Sequence, residues 1–73
     1  MSKLVDMLKR SAEADKAKAL LTLDLLENHS VGIGDHSTVD FYKNAEEALA
    51  MLADADDRLD AIQNYLVLKE VLL

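Results

Sequence analysis

The stretch that decides the fold is FYKNAEEALAMLADADDRLDAIQNYL, which runs from Phe41 to Leu66. Its apolar positions recur in alternating steps of four and three residues, the heptad spacing of a helix that packs along one partner helix. They are Phe41, Ala45, Ala48, Leu52, Ala55, Leu59, Ile62 and Leu66. Three of the eight are alanine, so the partner can approach closely. Nothing in the remaining residues breaks a helix, and we predict one helix over about 38–72.

A second helix, over about 3–29, is the natural partner. This segment is rich in strong helix formers, and one of its faces is apolar. The face is formed by Leu4, Val5, Leu8, Ala12, Ala19, Leu23 and Leu26. Four more apolar residues flank it, namely Met7, Ala14, Leu21 and Leu25. The apolar arc is therefore wider than one partner helix can cover, although Asp15 and Lys18 interrupt its middle.

Together these patterns predict an all-α fold in which residues 1–73 form a single domain, an antiparallel two-helix hairpin with a loop at 30–37. Two helices enclose no interior, so we expect the hairpin to self-associate, most simply as a homodimer that forms a four-helix bundle. The alternative is that a different protein covers the apolar flank. The residues predicted for the interface are Met7, Ala14, Leu21, Leu25, Leu52, Leu59 and Leu66.

The composition narrows the classes of partner. Acidic residues number 14 against 8 basic ones, which argues against a nucleic-acid backbone as the main partner. An acidic surface of this kind favours solubility, and the alternative is an acidic protein that inhibits a host nucleic-acid enzyme. The chain has no cysteine and no apolar run of the ~18 residues that span a membrane. We therefore expect a cytoplasmic protein with no membrane partner.

The loop sequence HSVGIGDHS contains both histidines and both glycines of the chain. Glycine beyond a helix end and polar residues before the next helix are what a turn requires. The functional alternative is a metal site made by His29, Asp35 and His36, with Glu27 as a fourth ligand. The spacing of these residues matches no established ligand pattern, so we predict a turn with no metal or other cofactor.

A carboxylate cluster raises the question of an enzyme. All-helical nucleotide pyrophosphohydrolases of the MazG type hold magnesium on helix carboxylates in an EExxE then ExxD arrangement. This chain resembles them over Glu46 and Glu47, followed by Asp54 and Asp57, but Ala50 stands at the third glutamate and the second pair comes too early. We therefore predict that the protein is not an enzyme, and we keep a metal-dependent enzyme of this class as the alternative.

The run from VGIGDHS through the long second helix resembles small uncharacterised helical proteins encoded by T4-like tailed phages of marine bacteria. The resemblance covers roughly the second half of the chain. It implies a phage accessory protein that acts in the host cytoplasm. It assigns no catalytic or binding residue, so the expected function is that of a small interaction or structural protein.

Overall fold

The structure, a computed structural model, describes residues 2–28 and 38–67. Helix α1 is Lys3–Asn28 and helix α2 is Thr38–Ala61, and a π-helical segment, Ile62–Val67, continues α2. These residues include no strand, so the described part of the chain is all-helical, as predicted. The predicted loop at 30–37 and the predicted end of the second helix after residue 67 lie outside the described residues.

Helix α1 begins with a serine cap. The Val5 backbone N–H donates to Ser2 Oγ at 3.1 Å, and the Asp6 N–H donates to the Ser2 carbonyl at 3.0 Å. Asp6 in the first turn carries negative charge near the positive end of the helix dipole. It also accepts a hydrogen bond from Arg10 Nε at 3.0 Å, one turn further along. The first turn is thus stabilised by two local interactions, the serine cap and the Asp6–Arg10 ion pair.

The two helices pack antiparallel along one line of residues on each. On α1 the buried residues are spaced by seven, namely Val5, Ala12, Ala19 and Leu26. The buried residues of the second helix are also spaced by seven, namely Ala48, Ala55 and Ile62. Because a heptad repeat returns to the same face every two turns, this spacing keeps one line of each helix against the other. The heptad predicted from the sequence is confirmed as the contact between the helices from Ala45 to Ile62, whereas Phe41 at its start is 37% exposed.

Alanine fills the middle of this contact. Ala12 and Ala55 are fully buried, and Ala19 nearly so, whereas no bulky side chain of the described residues is. Larger residues, Val5, Leu26 and Ile62, close the two ends. Small side chains allow the helix axes to come close, but they remove little apolar surface from water. The Cα atoms span 55 × 16 × 16 Å, a rod with a contact line and no enclosed core.

The end of the second helix differs from the prediction. The predicted heptad continues from Ile62 to Leu66, but Leu66 is 36% exposed. The half-buried residue at this end is Val67. The π-helical turn explains the difference, because its wider winding brings residue i+5 rather than i+4 back to the same face. Ile62 and Val67 therefore lie on the partner side, and Tyr65 extends into solvent.

One residue of the predicted α1 face was also misplaced. Leu4 is 62% exposed, although the helical wheel put it beside Val5 on the apolar face. The contact line is narrow because it is made of alanine, so a residue about 100° away from it receives no cover. Leu4 belongs instead with the exposed apolar residues of the flank, which form the candidate site.

Candidate interaction surface

An ion-pair cluster crosses the helix contact near its middle. Arg58 Nη2 donates to Asp15 Oδ2 on α1 at 2.7 Å, and Arg58 Nε donates to Asp54 Oδ2 at 2.9 Å. The hydrogen bond to Asp15, with the charge of Asp54 beside it, raises the pKa of Arg58 above its ordinary value. Asp15, which interrupts the apolar face in the sequence, is thus matched by an opposite charge on the other helix.

A second ion pair lies on the other side of the alanine line. Lys16 Nζ lies 2.9 Å from Asp56 Oδ1 across the helix contact. The hydrogen bond to Asp56 and its charge raise the pKa of Lys16 above 10.5, its ordinary value. Asp15 and Lys16 are about 100° apart on α1, so the two pairs flank the alanine line and fix the alignment of the helices.

The raised pKa of Lys16 gives a pH dependence. A cation whose pKa is higher in the folded state contributes stability that is complete below its unfolded pKa and is lost as pH rises through the folded pKa. We expect a Lys16→Met protein to unfold at lower urea than the unaltered protein at pH 8. The difference should shrink above pH 10.5. Urea titrations at a series of pH values measure it.

Lys9→Met is the matched control, because Lys9 makes no ion pair with any residue in the described ranges. Its difference from the unaltered protein should not change with pH between 8 and the alkaline end of the series. A constant difference for Lys16→Met as well would contradict the ion pair with Asp56.

Two apolar grooves lie on one side of the hairpin, separated by the Arg58 cluster. The first, about 340 Å³, lies toward the loop and is lined by Ala19, Thr22, Leu25, Leu26, Asn44, Glu47, Ala48 and Met51. The second, about 380 Å³, lies toward the chain ends and is lined by Leu8, Ser11, Arg58, Ala61, Ile62, Tyr65 and Leu66. Both are open to solvent, so this side of the hairpin presents apolar surface along most of its length.

A line of exposed residues on α1, here called the outer stripe, borders both grooves. It consists of Leu4, Met7, Ser11, Ala14, Lys18, Leu21 and Leu25. These residues follow one another in steps of three and four, so α1 carries a second heptad line beside the one that contacts α2. All seven are exposed, and Leu21 is 61% exposed. Five of the seven are apolar and two, Ser11 and Lys18, are polar, and exposed apolar residues grouped in this way are typical of interaction surfaces.

The corresponding line on α2, here called the acidic stripe, has the opposite character. It consists of Asp40, Lys43, Glu47, Ala50, Asp54, Asp57, Ala61 and Asn64, all of them exposed. Four of the eight carry carboxylates and none is a bulky apolar residue. The two helices are therefore unequal on the grooved side of the hairpin: bulky apolar residues lie on the outer stripe of α1, whereas the acidic stripe carries none.

The residues predicted for the interface fall into two groups. Met7, Ala14, Leu21 and Leu25 are exposed and belong to the outer stripe. Leu52 and Leu59 are half-buried between the helices of one hairpin, and Leu66 lies at the edge of the groove near the chain ends. The heptad of α2 is thus packed against α1 of the same chain, and the outer stripe is exposed.

His29, Asp35 and His36 lie outside the described residues, and Glu27 is exposed at the end of α1. Within residues 2–28 and 38–67, no group of three or more potential ligands is arranged to hold a metal ion.

The carboxylates of the enzyme alternative lie along α2 and are all exposed. Asp54 is paired with Arg58, and Glu47 Oε1 lies 4.0 Å from Lys43 Nζ. The structure therefore places two of the four carboxylates in ion pairs along the same helix. Glu46 and Asp57 are about three turns apart on that helix, too far to bind one ion together.

No described helix has an apolar stretch long enough to cross a membrane. Comparison of the chain with protein families, with curated proteins and with solved structures gives no match. The outer stripe and the grooves beside it are the exposed apolar features of the described residues that bear on function.

Proposed function

We propose that this protein is a non-enzymatic interaction protein, and that two copies associate through the outer stripe of α1 to form a four-helix bundle. The observation that carries the proposal is the line of exposed bulky residues at both ends of α1. Leu4 and Met7 stand at one end, and Leu21 and Leu25 at the other. Covering these side chains would contribute roughly 25 cal/mol per Å² of apolar surface removed from water.

The total surface supports the same proposal. The chain exposes 5662 Å², whereas a compact monomer of 8.1 kDa exposes about 4,500 Å². The excess of about 1,200 Å² exceeds the ~800 Å² that each partner buries in a protein interface of standard size. A second copy that covered the grooved side of the hairpin would bring the exposed surface per chain close to that of a compact protein.

The proposal also includes the cell in which the protein acts. An acidic accessory protein of a tailed phage, present in the cytoplasm of the infected host, is the setting that the sequence resemblance favours. In the dimer proposed here the acidic stripe of α2 keeps its carboxylates at the edge of the interface and in water. That stripe is the second candidate surface, suited to a basic partner such as a host nucleic-acid enzyme, and binding there would weaken as salt is added.

The test is a pair of neighbouring substitutions. Leu21→Asp puts a carboxylate among the bulky residues at one end of the outer stripe, where its desolvation should weaken association by more than about tenfold. Leu20→Asp is the matched control, because Leu20 is 47% exposed and lies on the other side of the hairpin. Light scattering over a range of concentrations should find a dimer for the unaltered and Leu20→Asp proteins, and a monomer for Leu21→Asp.

Two results would contradict the proposal. A monomeric unaltered protein would show that the outer stripe is not covered by a second copy. Dissociation by Leu20→Asp with Leu21→Asp still dimeric would place the interface on the other side of the hairpin. Circular dichroism of each protein confirms that α1 and α2 remain folded, so a change in mass reports association.

A further inference from the structure

The outer stripe carries bulky apolar side chains at both of its ends. Read from the start of α1 it runs Leu4, Met7, then Ser11, Ala14, Lys18, then Leu21, Leu25. Two bulky residues stand at each end, and the smallest side chain stands at the centre. A two-fold axis perpendicular to the helix reverses the stripe of the second copy, so it sets the bulky residues at one end against those at the other end.

We propose that, in the dimer described under Proposed function, α1 of one copy lies antiparallel on α1 of the second copy, with Ala14 nearest the two-fold axis. This inference rests on that proposed function and adds the geometry of the pairing. Leu4 and Met7 of one copy face Leu21 and Leu25 of the other at both ends of the contact. Ala14 lets the two helices come close at the centre.

Charge favours this direction over the parallel one. In a parallel pairing each residue of the outer stripe meets its own counterpart, so the two Lys18 ammonium groups would lie side by side and repel. In the antiparallel pairing Lys18 lies near Ser11 of the second copy, and no like charges on the stripe are opposed. The dipoles of two antiparallel helices also oppose each other, which is favourable.

Charge likewise argues against pairing α1 with α2 of the second copy. The acidic stripe would then set Glu47 and Asp54 against the leucines of the outer stripe. Removing those carboxylates from water is costly even though each has a cation nearby on α2, because their other oxygen atoms would lose water and face leucine. An apolar surface that matches the outer stripe occurs on the described residues of α1 and not on those of α2.

The grooves fit the same arrangement. Reversal of the second copy brings its loop end, with Leu21 and Leu25, over the groove near the chain ends of the first. That groove is lined by Leu8 and Tyr65 among others, and its walls are mostly apolar. The Arg58 cluster lies at the level of Ala14, close to the two-fold axis, where each Arg58 keeps its carboxylate partners Asp15 and Asp54.

Disulfide trapping tests the geometry, because the chain has no cysteine of its own. Ala14→Cys should form an intermolecular disulfide on mild oxidation, since the two sulfurs lie near the axis. Leu20→Cys is the matched control, because Leu20 is exposed on α1 and lies on the other side of the hairpin. It should remain mostly reduced under the same conditions.

A mixture of two variants distinguishes the direction of pairing. Met7→Cys and Leu21→Cys proteins are combined under reducing conditions, so that subunits exchange, and are then oxidised. Antiparallel pairing predicts that the mixed disulfide between positions 7 and 21 is the main product, identified by mass spectrometry. Each variant oxidised alone should give several-fold less dimer.

The alternative outcomes separate this inference from the proposed function. Efficient disulfides in Met7→Cys and Leu21→Cys alone would show parallel pairing and overturn the inference. A dimer by light scattering with no disulfide at position 14 would overturn it while leaving self-association intact. A monomer by light scattering would overturn both.

Discussion

Replacement of Ala55 by leucine should lower the free energy of unfolding by about 1–3 kcal/mol, the usual cost of inserting extra methylenes into a tightly packed contact. Ala55 is fully buried at the centre of the helix contact, where Ala12 and Ala19 of α1 are buried as well. A leucine at this position would push the helix axes apart. It would also disturb the ion pairs on either side, because Asp15–Arg58 and Lys16–Asp56 span the same gap.

Urea unfolding followed by circular dichroism measures this cost, at one fixed protein concentration because association would otherwise change the midpoint. Ala53→Leu is the matched control, since Ala53 is exposed on the same helix and the change in helix propensity is identical. It should alter the stability by no more than about 0.5 kcal/mol. Equal midpoints for the two variants would contradict the close approach of the helices at Ala55.

The contact side of α2 could be predicted because its pattern is unambiguous. Apolar residues in steps of four and three leave one line along the helix, and that line is the buried one. The α1 side was harder, because its apolar arc is wide and holds two heptad lines. Sequence alone does not say which line faces α2, and for that reason Leu4 was placed on the contact side although it lies on the outer stripe.

The ion pairs between the helices were missed for a different reason. The pairing of Arg58 with Asp54 follows from their spacing along one helix, and the structure confirms it. The stronger contact with Asp15 depends on the alignment of α1 with α2, which the length of the loop leaves open by a turn in either direction. The signal was present in the sequence, since an acid on an apolar face requires an opposite charge.

The interaction surface itself could be foreseen only in part. The flank of Met7, Ala14, Leu21 and Leu25 was recognised as surplus apolar surface. Its extension through Leu4, Ser11 and Lys18 into a complete heptad line became visible once the contact line was fixed. The acidic stripe could not be predicted as one surface either. Its members are separated in sequence, and only the position of the buried line shows which side of the hairpin they share.

Replacement of Leu26 by alanine should have the largest effect on stability, with a loss of about 2–4 kcal/mol. Leu26 is 6% exposed and closes the loop end of the helix contact, where it lies beside Ala48 in the wall of the first groove. The buried residues beside it are alanines, Ala19 and Ala48, whose side chains are too short to fill the space. Small domains are stable by about 5 kcal/mol or somewhat more, so this loss would remove a large part of the free energy of unfolding and lower the unfolding temperature by several degrees or more.

The neighbouring variant Leu25→Ala separates packing within the hairpin from association between copies. Leu25 lies on the outer stripe and is 43% exposed, so a large part of the cost of its removal should arise where the second copy is bound, and that part should fade as the protein is diluted. The effect of Leu26→Ala should persist at every concentration, because its contacts lie within one chain. Thermal unfolding by circular dichroism over a wide range of concentration measures both. If the two variants respond to dilution in the same way, the hairpin folds and dimerises in a single step. The outer stripe then contributes as much to the stability of the fold as the alanine contact does.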